Sequence, residues 1–208
     1  MNAAPQPSAR IDQDVIDVVF ALHGHAIARD HACALRAALL GVWPWLGTDA
    51  VAAIHPIKLV PGNEALGLLS GRSRLLLRVQ AERGETLAGA GDVQFDLLGQ
   101  TLRLGPAQPR ALRPHSAMYA YRVAAPGPDE AAFMDRIDRD MTDLGISAAR
   151  VCGKHQLLNL QGQPLDAFSL LLHEMTPRDA LILHQVGLGE HGLLGCGVFV
   201  PHKSAAAV

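Results

Sequence analysis

Strand-like and helix-like patterns follow one another in a fixed order along this chain, and that order restricts the folds open to it. Residues 16–22 are a β-branched and aromatic run, which predicts a strand. A helix is expected over 30–42, with Asp30 at its N-cap and Cys33, Leu35, Ala37, Ala38, Leu39 and Leu40 on a broad buried face. Trp43-Pro44-Trp45 ends it, because a residue before proline is pushed out of the α region. Residues 51–57 predict a second strand closed by Pro56. After a Pro-Gly-Asn turn at 61–63, residues 73–79 predict a third, in which Arg74, Leu76 and Arg78 share one face. A short helix over 82–88 and a strand or hairpin within 93–104 complete β-α-β-β-α-β, the ferredoxin-like order.

The second half repeats the pattern. A strand over 117–124 is followed by an acidic helix within 126–145, with Phe133, Met134, Ile137, Met141 and Leu144 on its apolar side. Val151, 157–160 and 167–172 supply central strands, a helix over 177–185 carries Pro177 at its first position, and 197–200 is the last strand. The segment 105–116, rich in Pro and Arg, is expected to be a linker. The expectation is an α+β chain of two tandem ferredoxin-like domains, 14–104 and 117–203, with a C-terminal glycine-rich loop. At 208 residues and 49% hydrophobic content it has enough apolar material for such cores, and no apolar run reaches the roughly 18 residues of a membrane span. Three scattered cysteines argue against a disulfide framework and a structural zinc site. With a polar N-terminus these point to a soluble cytoplasmic protein without a membrane partner.

A net charge of −2 does not advertise nucleic-acid binding, but its distribution is uneven. Six of the 20 acids lie between Asp129 and Asp143, whereas 97–128 carries Arg103, Arg110, Arg113 and Arg122 with no acid. Fifteen of the 18 basic residues are Arg. Arginine suits bidentate phosphate contacts and base stacking; a GC-rich genome gives the same bias.

The densest glycines fall near the end, at 187, 189, 192, 195 and 197, before the apolar run Val198-Phe199-Val200. Gly187, Gly189 and Gly192 fit G-x-G-x-x-G, but a dinucleotide site needs a strand before the loop and a helix after it, and here the order is reversed. The motif Gly187-Leu188-Gly189 followed by Gly195-Cys196-Gly197-Val198-Phe199-Val200-Pro201 resembles the C-terminal signature of the RAMP proteins of CRISPR systems. The resemblance is to their repeat-RNA processing endoribonucleases. Weaker matches run along most of the chain, at Phe20, Gly24, Asp30-His31, Ile54-His55-Pro56-Ile57, Ser73-Arg74, Arg78 and Tyr121-Arg122-Val123. Basic residues are usual between the loop's glycine pairs in that family, where this chain has Glu190, His191 and Gly192.

Histidine is the side chain whose ordinary pKa lets it act as base or acid near neutrality. His31 lies at the start of the first predicted helix, where it either caps the helix or, as the resemblance implies, serves catalysis. His55, at the end of the second strand, is its candidate acid partner or a polar strand-end residue. His23 and His25 form H-x-H-x₄-D-H with Asp30 and His31, a spacing too long for a two-metal hydrolase, so no metal site is expected. RNA contacts are expected from Arg74, Arg78, Arg110, Arg113 and Arg122, and from Gly187, Gly189, His191, Gly195 and Gly197 of the loop. Tyr119 and Tyr121 sit on one strand as possible base-stacking rings or packing groups; Trp43 and Trp45 read as core anchors.

The resemblance implies an endoribonuclease that cuts CRISPR precursor transcripts within repeats to give guide RNAs. It implies attack by the 2′-OH without metal or cofactor, leaving a 2′,3′-cyclic phosphate and a 5′-OH, with the product held by other effector-complex subunits. The rival expectation is a non-catalytic RNA-binding RAMP subunit that holds guide RNA.

Overall fold

The computed structural model describes residues 15–90, 92–160 and 162–202. The first half contains β1 (Val15–His23), β2 (Ala26–Ala28), α1 (Ala32–Val42), a 3-10 turn (Pro44–Gly47), β3 (Ala53–Ile54), β4 (Leu66–Leu68), β5 (Arg74–Gln80), α2 (Ala81–Ala88), β6 (Val93–Leu97) and β7 (Gln100–Ala111). The second contains β8 (Met118–Ala124), α3 (Glu130–Leu144), β9 (Ala149–Leu160), β10 (Gln163–His173), α4 (Pro177–Val186), a 3-10 turn (Gly192–Leu194) and β11 (Phe199–Pro201). A five-stranded antiparallel sheet runs β3-β5-β1-β7-β6 and a four-stranded antiparallel sheet runs β11-β8-β10-β9; β2 and β4 pair separately.

Alternation along the strands decides what each sheet face carries. Val18, Phe20 and Leu22 of β1, Leu75, Leu77 and Val79 of β5, and Leu102 and Leu104 of β7 are buried in one core with Leu35 and Leu39 of α1 and Leu87 of α2. Trp43 closes that core, its ring 5.7 Å from Phe20. The opposite face therefore carries Asp17 of β1 and Arg74, Leu76 and Arg78 of β5. Asp17 stands directly across from Arg78 on one side and Arg110 on the other. The second core joins Met118, Ala120 and Val123 of β8 and Phe168, Leu170 and Leu172 of β10 with Phe133, Ile137 and Met141 of α3 and Ala180 and Leu183 of α4. Helix starts follow local chemistry: the Asp129 side chain accepts from the Ala131 amide and Thr176 from the Asp179 amide.

Four sequence expectations are corrected. Residues 105–111 are no linker; they continue β7 and pair with β1. Pro106 and Pro109 fit there because β6 pairs only with 100–104, leaving that stretch of β7 with a neighbour on one side and no ladder bond to lose on the other. The connection between the sheets is thus short, from residue 112 to 117. The strand expected over 51–57 is paired only at Ala53–Ile54, with the His55 amide adding one bond to the Leu76 carbonyl. The N-cap of α1 is His31, not Asp30, and its side chain makes no capping bond. The short central strands expected in the second half are one long hairpin, β9 with β10. No helix among the described residues is long and apolar enough to cross a membrane.

Candidate active site between the two sheets

His31 is 9% exposed and its Nδ1 lies 2.7 Å from the Ala28 carbonyl oxygen. A carbonyl only accepts, so Nδ1 carries the proton and donates, which leaves the Nε2 lone pair unprotonated. Burial pushes the His31 pKa below the usual 6.5; the Ala28 bond offsets this in part, and the nearby Arg122 cation lowers it again. At neutral pH the ring is therefore a neutral base with its tautomer set. His31 comes from α1 and Arg122 from β8, and both line one narrow crevice with Ile54, His55, Pro56 and Gly195. Arg122 also lines an adjoining cleft of about 500 Å³ with Arg29, Asp30, Leu157, Asn159 and Gln163. The tip of the β9–β10 hairpin walls that cleft, tied to α1 where the Cys33 thiol donates to the Asn159 carbonyl at 3.1 Å.

His55 and Arg78 are placed differently from the sequence expectation. Arg78 is 3% exposed and cannot contact an RNA. Its Nε donates to Asp17 Oδ1 at 2.9 Å and its Nη2 to Oδ2 at 3.2 Å. Nη1 reaches the second half, donating to the His184 carbonyl at 3.1 Å, and both Nη groups lie 3.4 Å from the Phe199 carbonyl. Burial alone would raise the Asp17 carboxyl, but the hydrogen bond from His55 and the Arg78 guanidinium outweigh it and hold it well below the usual carboxylate range. The ionised carboxylate only accepts, so His55 Nε2, 3.1 Å from Oδ1, donates its proton there. Burial keeps His55 neutral, with a lowered pKa. That proton is committed to Asp17, which makes His55 a poor acid for a leaving group. His184 shares the seam: its Nε2 donates to the Arg113 carbonyl at 3.1 Å, and its buried Nδ1 has no partner among the described residues. Burial first, then Arg78, pushes its pKa down to about 4.

The loop glycines face protein backbone. Gly197 has φ 69°, and a Cβ there would collide with the Leu188 carbonyl; at Gly195, φ 80°, it would press on the Ile54 carbonyl and Pro56 ring. Gly187 packs on the Gly197 carbonyl and Gly189 lies against β8. At Gly187, Gly195 and Gly197 the close approaches are thus filled by the loop itself and by Ile54 and Pro56, while Gly187, Gly189, His191 and Gly197 also line a cavity of about 290 Å³. His191 adopts φ 68°, and its carbonyl accepts from the Leu194 and Cys196 amides.

Two of the expected arginines do line an open groove. Arg74 and Arg110, with Lys58, Arg72 and Tyr121, border a cleft of about 300 Å³ on the exposed side of Asp17 and His55. Tyr121 is 40% exposed, with the Lys58 ammonium 6.0 Å from its ring centre. The Arg113 side chain is exposed away from both clefts, and only its carbonyl is used. Sequence reasoning missed Lys58, Arg72 and Arg29; Arg29, next to Asp30-His31, carried a legible signal, whereas the others come from turns that only the fold brings together. His23 and His25 are exposed, and no metal-binding group of three or more His, Cys, Asp or Glu occurs among the described residues.

The three buried histidines set the acid limit of the fold. His31, His55 and His184 are neutral in the folded chain with pKa values below 6.5, so the unfolded chain binds more protons as pH falls. Their contribution is complete above about pH 6.5 and is lost as pH falls toward about 4, the His184 value. The urea midpoint is expected to fall steadily across that window, ahead of the loss of the Asp17 carboxylate at still lower pH; a flat profile from pH 6.5 to 4 would contradict these placements.

Comparison with known proteins agrees with this architecture. A family model described as Cas6 Crispr matches residues 16–204. The CRISPR-associated endonuclease Cas6 of Myxococcus xanthus (strain DK1622) is 29% identical over 194 residues, covering 93% of this chain and 84% of that protein. A solved CRISPR associated protein Cas6 superposes with a TM-score of 0.65 at 10% identity, covering 91% of this chain and 100% of that one. Thermus thermophilus Cse3, solved bound to an RNA representing a pre-cleavage complex, gives 0.53 at 16% identity, covering 90% and 98%. With the family model matching nearly the whole length, the chain belongs to the Cas6 CRISPR family.

Proposed function

We propose that this chain is an endoribonuclease that cuts CRISPR precursor transcripts within their repeats, in the cytoplasm, by metal-independent attack of a ribose 2′-OH. The observation that carries the reading is a neutral histidine, fixed as its Nδ1–H tautomer, with an arginine from the other half beside it at the edge of an open cleft. His31 Nε2 takes the 2′-OH proton, the 2′ oxygen bonds to the adjacent phosphorus, and the bond from phosphorus to the 5′ oxygen breaks. The leaving oxygen takes a proton from water, giving a 2′,3′-cyclic phosphate and a 5′-OH. Arg122 neutralises charge on the phosphoryl oxygens, which develops as the bond forms. The RNA continues over Lys58, Arg74, Arg110 and Tyr121, where cations meet phosphates and the ring offers a stacking face.

Each sheet with its two helices is read as one ferredoxin-like unit, since the strand orders β3-β5-β1-β7 and β11-β8-β10-β9 are those of a β-α-β-β-α-β chain. The units meet at 112–117, and the cut product passes to other subunits of a CRISPR effector complex. The name of the Myxococcus relative, an endonuclease, and the pre-cleavage RNA on Thermus Cse3 support the reading. It is tested with labelled repeat RNA from the neighbouring array in excess EDTA. One specific cut is expected, absent when the nucleotide 5′ of the cut carries a 2′-deoxy sugar. Tight binding with no cut, with or without added metal, would replace the enzyme by an RNA-holding subunit.

A further inference from the structure

The proposed site is composite: His31 belongs to the half built on the first sheet and Arg122 to the half built on the second. Its geometry is therefore set by whatever fixes one half on the other. Apolar contact alone fixes angle poorly, because side-chain surfaces slide past each other at small cost, whereas hydrogen bonds to fixed carbonyls do not. Among the described residues, one buried guanidinium bonds to both halves at once.

Resting on the reading above, we propose that Arg78 and Asp17 are positioning residues of the cleavage site: their buried pair sets the second half on the first so that Arg122 stands beside His31. Within its own sheet Arg78 faces Asp17 across the β1–β5 ladder and is held by it through two bonds. The remaining guanidinium edge meets the carbonyls of His184, in α4, and Phe199, at the start of β11. Phe199 pairs with Ala120 of β8, and two residues earlier the Gly197 amide donates to the Arg122 carbonyl at 2.8 Å. Arg78 thus anchors the short strand that holds the backbone of Arg122. His55, bonded to the same Asp17 oxygen, extends the anchor to the segment that packs under Gly195. Only a planar fork makes all these bonds; a lysine ammonium, with one nitrogen, can keep the charge but not the geometry. Buried ion pairs add little net stability over apolar packing, and fixing register is their best-attested use.

The test uses the full chain with Arg78→Lys, Asp17→Asn, Arg122→Ala and the double variant Arg78→Lys/Arg122→Ala, each well below its melting temperature. Single-turnover cleavage, binding of a repeat RNA made uncleavable by a 2′-deoxy sugar, and the His31 titration followed by NMR are measured. Arg78→Lys and Asp17→Asn are expected to slow cleavage roughly 10- to 100-fold at unchanged affinity. Both shift the His31 titration upward, as Arg122→Ala does, because the cation that lowers it has moved away. In the Arg122→Ala background the Arg78 substitution adds no further loss, since it acts through that residue. Losses that multiply in the double variant, or a His31 titration unmoved by Arg78→Lys and Asp17→Asn, would assign the pair to stability alone. The proposal also falls if neither variant folds, because the pair is then a folding requirement. Arg122→Ala cutting at the wild-type rate would instead sink the reading of the site, a result distinct from any of these.

Discussion

Replacing His31 with alanine is expected to lower single-turnover cleavage of repeat RNA by roughly 10²- to 10⁴-fold, the range for loss of a positioned general base. Affinity for the uncleavable repeat should not change, because a ring 9% exposed offers RNA little contact surface. The fold should survive, since the side chain makes no capping bond to the helix and loses backbone hydrogen bonds to Ala28 and Arg29, at a cost of about 1 kcal/mol each. The pH profile gives an independent check. A base must be unprotonated, so the rate rises with pH through the His31 pKa and is flat above it. Burial and Arg122 place that inflection below the usual 6.5, so the plateau is reached before neutrality. An acid-requiring step carried by His31 would give the opposite slope. Normal cutting by the alanine variant would reduce His31 to a helix-start residue and move the search to other groups around Arg122.

Much of the fold was legible because burial on one face forces a period of two on a strand and of about 3.6 on a helix, and β1, β5, β8 and the helices carry these periods plainly. The boundary between the halves was not, because Pro106 and Pro109 are loop signals that an unpaired strand edge tolerates. The site divides the same way. His31 was readable from its chemistry and its place before a helix. Alternation put Arg74 and Arg78 on one face but could not say that one end of that face is open and the other is covered. Asp17, His55 and Arg78 lie 38 and 61 positions apart, and only the strand register brings them together. The glycine motif announced close approach without saying what approaches, and the answer at Gly195 and Gly197 is the chain's own carbonyls.

The covered end of that face makes the largest expected effect on stability. Asp17→Ala leaves the Arg78 guanidinium buried without a counter-ion. Arginine cannot shed its proton to escape the cost. The loss is expected to be about 3–5 kcal/mol, the range for removing one partner of a buried pair. It should appear as a lower urea midpoint with an unchanged slope. His55 loses its acceptor in the same variant, so the low-pH sensitivity that depends on its neutral form changes as well. The double variant Asp17→Ala/Arg78→Met separates charge from hydrogen bonding. It removes the stranded cation and fills its volume with an apolar chain, but leaves the His184 and Phe199 carbonyls without their donor. Its stability should therefore fall between the single variant and the wild type: above the first because no charge is buried alone, below the second because the guanidinium's bonds to two carbonyls at the seam are lost. If Asp17→Ala alone matches the wild type, the guanidinium has found water, and the seam between the sheets opens far more readily than its 3% exposure indicates.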